Sequence, residues 1–122
     1  DNIPDRLMLA YLYQMVNNSS ASLHTLMNYN GKLSLEILVH RLGYALLAKD
    51  LIVGVEFYQQ YKNIKPLWKS PLFVYYAVIY ETWQRNTEEA MKIMLSLPRE
   101  SDWSRSAEQV SQYLQKTQSL GN

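Results

Sequence analysis

The polar residues of this 122-residue chain offer few arrangements that could do chemistry. His24 and His40 are the only histidines, and Glu36 lies four residues before His40, where a helix would bring the two side chains together. That pair could supply two metal ligands, but the neighbouring Arg41 opposes the binding of a cation. We therefore predict no metal site, and we interpret Glu36 and His40 as a polar pair on the solvated or groove-facing side of their helix.

Catalysis has no motif in its favour. The chain contains no cysteine, no glycine-rich phosphate loop and no serine within a Gly-x-Ser-x-Gly pattern. The adjacent acids Glu88 and Glu89 fit a helix start after Asn86, because a glutamate three residues beyond a capping side chain can return a hydrogen bond. We predict a noncatalytic protein that uses no cofactor.

Three lysines form a mildly basic segment in a chain of formal net charge +1. They are Lys62, Lys65 and Lys69, and they are candidates for contacts with phosphate groups. Proteins that bind nucleic acids usually carry a much stronger basic stripe. A solvated surface is the simpler interpretation of these lysines, and phosphate binding is the alternative.

Aromatic residues are the most promising binding groups, because the chain has ten tyrosines and three tryptophans. Tyrosine combines apolar area with a polar tip and is enriched at protein interfaces. We predict that four tyrosines supply contact area to a partner and that three polar residues beside them orient it. The tyrosines are Tyr44, Tyr75, Tyr76 and Tyr80, and the polar residues are His40, Arg41 and Glu81, with Glu36 next to His40.

The elements that must position these residues are predicted to be helices, because apolar residues recur at helical spacing along the chain. In the first of them the recurring residues are Leu7, Leu9, Ala10, Leu12, Tyr13 and Val16. The predicted helices cover about residues 4–16, 21–29, a segment from 35, 51–63, 71–84, 87–96 and 103–117.

Capping residues set the starts of these helices. Ser20, Ser34, Asp50, Ser70 and Asn86 each precede a periodic segment and can accept a backbone N–H. Asn30-Gly31 is the predicted stop of the second helix, because both residue types tolerate the left-handed conformation that often ends helices.

The segment 71–84 carries scarcely a polar residue, and its β-branched and aromatic residues also permit a buried strand. We prefer a helix, because Ser70-Pro71 is a good helix start and the chain offers no convincing second strand. A helix that is apolar on all sides must be covered on more than one side. It is either the central helix of a stack or a surface covered by a partner or by a second copy of the chain.

The length fits a single domain covering residues 1–122, which is large enough for a core without disulfides or metals. No run approaches the ~18 apolar residues of a membrane span, and no signal peptide is recognised. We expect a soluble, intracellular protein of unknown compartment, with no membrane partner. Because the chain begins at Asp1, we expect a fragment of a larger protein.

Two segments, 54–58 and 90–94, occupy matching places in two predicted helical hairpins, 36 residues apart. With the residues around them they resemble the tetratricopeptide and pentatricopeptide superfamily of helical repeats. A weaker third unit has Ala21 in the small-residue position held by Gly54 and Ala90. The residues that carry the resemblance are Leu38, Leu42, Gly43, Gly54, Val55, Phe57, Tyr58, Ile64-Lys65-Pro66, Val78, Ile79, Glu88-Glu89-Ala90-Met91, Ile93, Met94 and Pro98.

The resemblance implies an all-α fold, a short right-handed stack of about three helical hairpins closed by a C-terminal capping helix. Tetratricopeptide arrays bind a helix or peptide of another protein in a groove lined by the first helix of each hairpin. A protein-interaction module, as an adaptor, scaffold or chaperone-like protein, is therefore the predicted function.

Pentatricopeptide arrays imply the alternative, which is binding of single-stranded RNA. Those repeats read bases through polar residues near the start of each first helix. Here these places fall at Val39 and near Tyr75 or Tyr76, so the polar readers are missing, although tyrosines can stack on bases.

Overall fold

The computed structural model describes residues 2–97 and Gln109, and every regular element of residues 2–97 is a helix. The α-helices are α1 (Ile3–Met15), α2 (Ser19–Met27), α3 (Leu35–Leu47), α4 (Leu51–Tyr61), α5 (Pro71–Trp83) and α6 (Thr87–Met94), with a 3-10 helix at Lys65–Lys69 between α4 and α5. This confirms the all-α class and the helical interpretation of residues 71–84. Of the predicted capping helix at 103–117, only Gln109 is described, and it is helical; the rest lies outside the described residues.

Local capping chemistry sets most helix starts. The side chains of Ser34, Asp50 and Ser70 each accept a hydrogen bond from the backbone N–H three residues on, as predicted. The cap of α2 is Asn18, whose Oδ1 accepts from the N–H of Ala21, so the prediction of Ser20 was wrong by two residues. Asn86 precedes α6 but makes no side-chain capping bond.

The same turn occurs after α1, α3 and α5. In each, a residue with positive φ follows the helix: Asn17 at 61°, Lys49 at 59° and Arg85 at 65°. The N–H of the next residue reaches back to a carbonyl five residues earlier, and it does so in Asn18, Asp50 and Asn86, each at 2.9 Å. This is the Schellman arrangement, and each turn leads directly into the next helix.

The stop at Asn30-Gly31 works differently from the prediction. Neither residue has a positive φ. Instead the ring of Tyr29 lies where a side chain at position 31 would be, and its hydroxyl donates to the carbonyl of Lys32 at 3.1 Å. Glycine is therefore needed here for space rather than for a left-handed backbone.

Contacts divide the chain into two compact units, residues 1–63 and residues 64–122. In the first unit α2 packs against α1 and α3, and α3 packs against α4. Its core includes a cluster of Ala10, Leu26 and Ile37, and the half-buried Ile3, Leu7 and Tyr44 pack against that cluster. A buried bond joins α1 to α2, because the hydroxyl of Ser22 donates to the carbonyl of Ala10 at 2.6 Å.

In the second unit α5 packs against the 3-10 helix and α6. Trp68 and Phe73 make an edge-to-face contact, with ring centroids 4.9 Å apart and ring planes at 87°. Eight of the thirteen residues of α5 are buried. Gly54 and Ala90, the small residues of the proposed repeat, are both buried, each in the second helix of a consecutive pair. The repeat itself and the single domain stay predictions.

Candidate functional site

Three predicted binding residues lie along one side of α3. The cap at Ser34 starts the helix so that Glu36, His40 and Tyr44 follow one another at intervals of four residues. Glu36 is exposed, and the other two are half-buried. The rings of His40 and Tyr44 have centroids 6.2 Å apart and are tilted by 31°. The structure thus brings these three residues together as the sequence predicts.

A fourth residue, Tyr11 of α1, completes this surface, although the sequence analysis did not single it out. Tyr11 is 53 % exposed. It lies close enough to Tyr44 to act on its hydroxyl electrostatically: burial raises the pKa of Tyr44, and Tyr11 raises it further. Below the surface, Tyr44 and Leu7 pack against the same core cluster. We name Tyr11, Glu36, His40 and Tyr44 the α1–α3 surface.

The imidazole of His40 is held in its neutral form by its surroundings. Burial lowers the pKa of His40 from its ordinary value of 6.5, because the charged form loses hydration, while the carboxylate of Glu36 acts in the opposite direction. Near neutral pH the ring therefore offers one donor and one acceptor. The negative charge of Glu36 then stands at the end of an otherwise uncharged surface.

The prediction that Arg41 orients a partner is corrected by its position in the interior. Its side chain is only 9 % exposed. Nε and Nη2 both donate to the carbonyl of Leu26, at 3.1 and 2.9 Å, and Nη1 donates to the hydroxyl of Tyr61 at 3.2 Å. The guanidinium also lies over the ring of Phe57, 5.6 Å from its centroid.

These contacts give Arg41 a structural role instead. Leu26 lies in the last turn of α2, where the carbonyl groups carry the negative end of the helix dipole and attract a cation. Tyr61 belongs to α4, and burial raises its pKa against the opposing effect of Arg41, so its hydroxyl stays neutral. The arginine therefore ties three helices of the first unit together.

The residues predicted on α5 divide into interior and half-buried ones. Tyr80 is fully buried, and Glu81 is 5 % exposed with its Oε1 accepting from the side-chain amide of Asn86 at 3.0 Å. This burial corrects the predictions that Tyr80 supplies contact area to a partner and that Glu81 orients it. Tyr75 and Tyr76 are half-buried, and their rings contact each other at 5.6 Å. In its own unit α5 is mainly a core helix.

The largest exposed apolar area of the first unit lies on α1. Apolar residues recur along this helix, but Ala10 is its only fully buried residue. The outward side carries Met8, Leu9, Leu12, Met15 and Val16, which are 57, 42, 51, 62 and 70 % exposed. We name these five residues the outer face of α1. The signal was present but ambiguous, because residues 7–16 are apolar on every side of the helix.

The three candidate lysines are divided between the two units. Lys62 is half-buried and follows α4 in the first unit, whereas Lys65 and Lys69 are exposed at the two ends of the 3-10 helix in the second. Contacts from these lysines to phosphate stay a prediction.

Within residues 2–97 and at Gln109, no three or more His, Cys, Asp or Glu side chains are grouped so that they could hold a metal ion. No helix of that same part of the chain has the length and apolar character needed to cross a membrane.

Comparison with models of known protein families, with curated proteins and with solved structures finds no match to this chain. The resemblance to tetratricopeptide and pentatricopeptide repeats therefore stays a prediction from sequence.

Proposed function

We propose that this chain is a noncatalytic protein-interaction module that binds an amphipathic helix of a partner protein on the α1–α3 surface. The observation that carries the proposal is the succession of Tyr11, Tyr44, His40 and Glu36, in which each side chain interacts with the next by a ring contact or electrostatically. Tyrosine rings with exposed area are the residue type most suited to anchoring a protein partner.

The charge of this surface indicates the kind of helix it fits. Glu36 is its only charged member, because burial keeps His40 neutral near pH 7. An occupant must therefore place an apolar stripe against the tyrosines, and a lysine or arginine beside that stripe would pair with Glu36. A helix meets both requirements, since residues four apart share one face.

The recurring turn after α1, α3 and α5 supports the resemblance to tetratricopeptide scaffolds. In such scaffolds the first helix of each hairpin lines the binding groove. Here α1 and α3 would be those first helices, and they are the two helices that contribute the α1–α3 surface.

A displayed library of 16-residue amphipathic helical peptides, with lysine or glutamate varied beside a leucine stripe, tests the proposal. We expect selection on the folded chain to enrich lysine beside the stripe. Tyr44→Ala should weaken the selected peptides about tenfold or more, as for an anchoring tyrosine. Glu36→Gln should weaken them about two- to fivefold, as expected for an exposed ion pair.

Matched controls are available on the same unit. Tyr13→Ala removes an exposed tyrosine of α1 that lies outside this surface, and Glu56→Gln removes an exposed carboxylate of α4. Both should leave the affinity unchanged. Selected peptides that bind equally well to the folded Tyr44→Ala protein would overturn the proposal.

A further inference from the structure

The outer face of α1 has the apolar composition of a helix face that packs against another helix, although it faces away from the chain's own core. Its five side chains are all apolar, and each is at least 42 % exposed. From Leu7 to Val16 the helix carries no charged residue. The largest apolar patch on a protein surface is often an interaction site.

The spacing of these residues is symmetric about Leu12. Met8 and Val16 lie four residues on either side of it, and Leu9 and Met15 lie three residues on either side. Positions three and four residues apart share one side of a helix, so all five lie on a single stripe. We propose that this stripe pairs with the same stripe of a second copy, so that two α1 helices cross in antiparallel orientation about a two-fold axis at Leu12.

Two-fold symmetry makes the contact self-complementary. In the antiparallel crossing Leu12 meets Leu12 of the second copy, Met8 meets Val16, and Leu9 meets Met15. Each pair places apolar atoms against apolar atoms, and no like charges face each other in the seam. The flexible methionines fill the irregular gaps that crossing helices leave between them.

The area is sufficient for a weak dimer. The exposed fractions of the five residues correspond to on the order of 500 Å² on each copy, so their complete burial would remove about 1,000 Å² from solvent, which is the lower limit for a specific interface. Such an interface belongs to a reversible dimer, half-formed at about 10–100 µM. The dimer uses residues of α1 other than Tyr11, which lies one turn from Met8 and Met15 at the border of the α1–α3 surface, and it does not depend on the proposed partner helix.

Sedimentation equilibrium of the full chain across this concentration range is the first test. We expect a monomer–dimer equilibrium, with a dissociation constant that rises at least tenfold in Leu12→Glu, because two carboxylates then meet at the axis. Ile52→Glu is the matched control, since Ile52 is an isolated apolar residue of α4 that is 77 % exposed; it should leave the dissociation constant unchanged. Circular dichroism checks that both variants fold.

Two further experiments test the symmetry itself. Leu12→Glu and Leu12→Lys should each be monomeric alone and form a heterodimer when mixed, because the new charges face each other across the axis. Leu12→Cys should form a disulfide-linked dimer on mild oxidation, whereas Ile52→Cys should do so far more slowly; the chain has no other cysteine to compete.

A wild-type chain that stays monomeric throughout this range overturns the dimer, as does a dimer that Leu12→Glu leaves intact. Neither result bears on peptide binding, which Tyr44→Ala reports separately. Conversely, loss of peptide binding in Tyr44→Ala with an unchanged dimer supports the two faces acting independently.

Discussion

The role of a single side chain in this protein is set by its surroundings rather than by its residue type. Arg41 shows this most clearly, because a residue type that is usually exposed has here both ends of its guanidinium bonded inside the first unit. Sequence spacing placed it beside His40 on α3, but one residue along a helix is a rotation large enough to move a side chain from the surface to the core.

Replacing Arg41 therefore tests a structural role. Arg41→Lys keeps the charge but cannot reproduce the fork that holds both the carbonyl of Leu26 and the hydroxyl of Tyr61. We expect it to lower the free energy of unfolding by about 1–3 kcal/mol, measured in urea, because a buried polar group loses its partner. Arg85→Lys, at an exposed position, is the control and should be neutral. An unchanged free energy of unfolding in Arg41→Lys would contradict the structural role of Arg41.

His40 makes the stability depend on pH. Its pKa in the folded chain is below the ordinary 6.5, so the unfolded chain binds a proton more readily. The contribution of His40 is then fully present above pH 6.5 and is lost as the pH falls through 6.5 toward the folded value.

We expect the free energy of unfolding to fall less on acidification in His40→Gln than in the wild type. Glu36→Gln should make the fall steeper, because Glu36 acts to raise the pKa of His40. Chemical denaturation between about pH 7.5 and pH 5 measures both effects. Identical pH profiles for His40→Gln and the wild type would contradict the assignment.

At the scale of helices, the turns after α1, α3 and α5 are only partly predictable from sequence. Their capping residues are recognisable, but their residue types do not indicate the left-handed backbone. The acceptors at Asp50 and Asn18 are visible in sequence as capping types, yet the left-handed residue before each is lysine or asparagine rather than glycine. A non-glycine residue in that conformation costs free energy. Hydrogen bonds offset this cost, because the turn satisfies the carbonyl groups at the end of one helix and leads into the next.

Lys49→Gly should release that cost. Lys49 has a φ of 59° and an exposed side chain, so glycine removes strain without removing packing. We expect the free energy of unfolding to rise by about 0.5–1 kcal/mol, after the greater freedom of glycine in the unfolded chain is counted. Ala48→Gly, one residue earlier in a right-handed conformation, should lower it instead. A decrease in Lys49→Gly, measured by urea denaturation, would argue against the left-handed turn.

At the scale of the whole molecule, the described structure consists of two compact helical units, and the two proposed binding faces both belong to the first. The outer face of α1 borders the α1–α3 surface, because Tyr11 lies three residues from Met8 and four from Met15. The proposed dimer also makes thermal stability depend on concentration: the unfolding midpoint should rise with protein concentration in the wild type and not in Leu12→Glu, because association stabilises only the folded chain.

Sequence alone determined the features that depend on neighbours along the chain. The helices that start at residues 35, 51 and 71 begin where they were predicted from the capping residues Ser34, Asp50 and Ser70, because a capping bond joins residues three apart. Tertiary structure alone decided which apolar side of α1 stays outside and that Arg41, Tyr80 and Glu81 lie inside. Burial depends on helices that are distant in sequence, and α1 has apolar residues on every side, so its sequence does not show which side those helices cover.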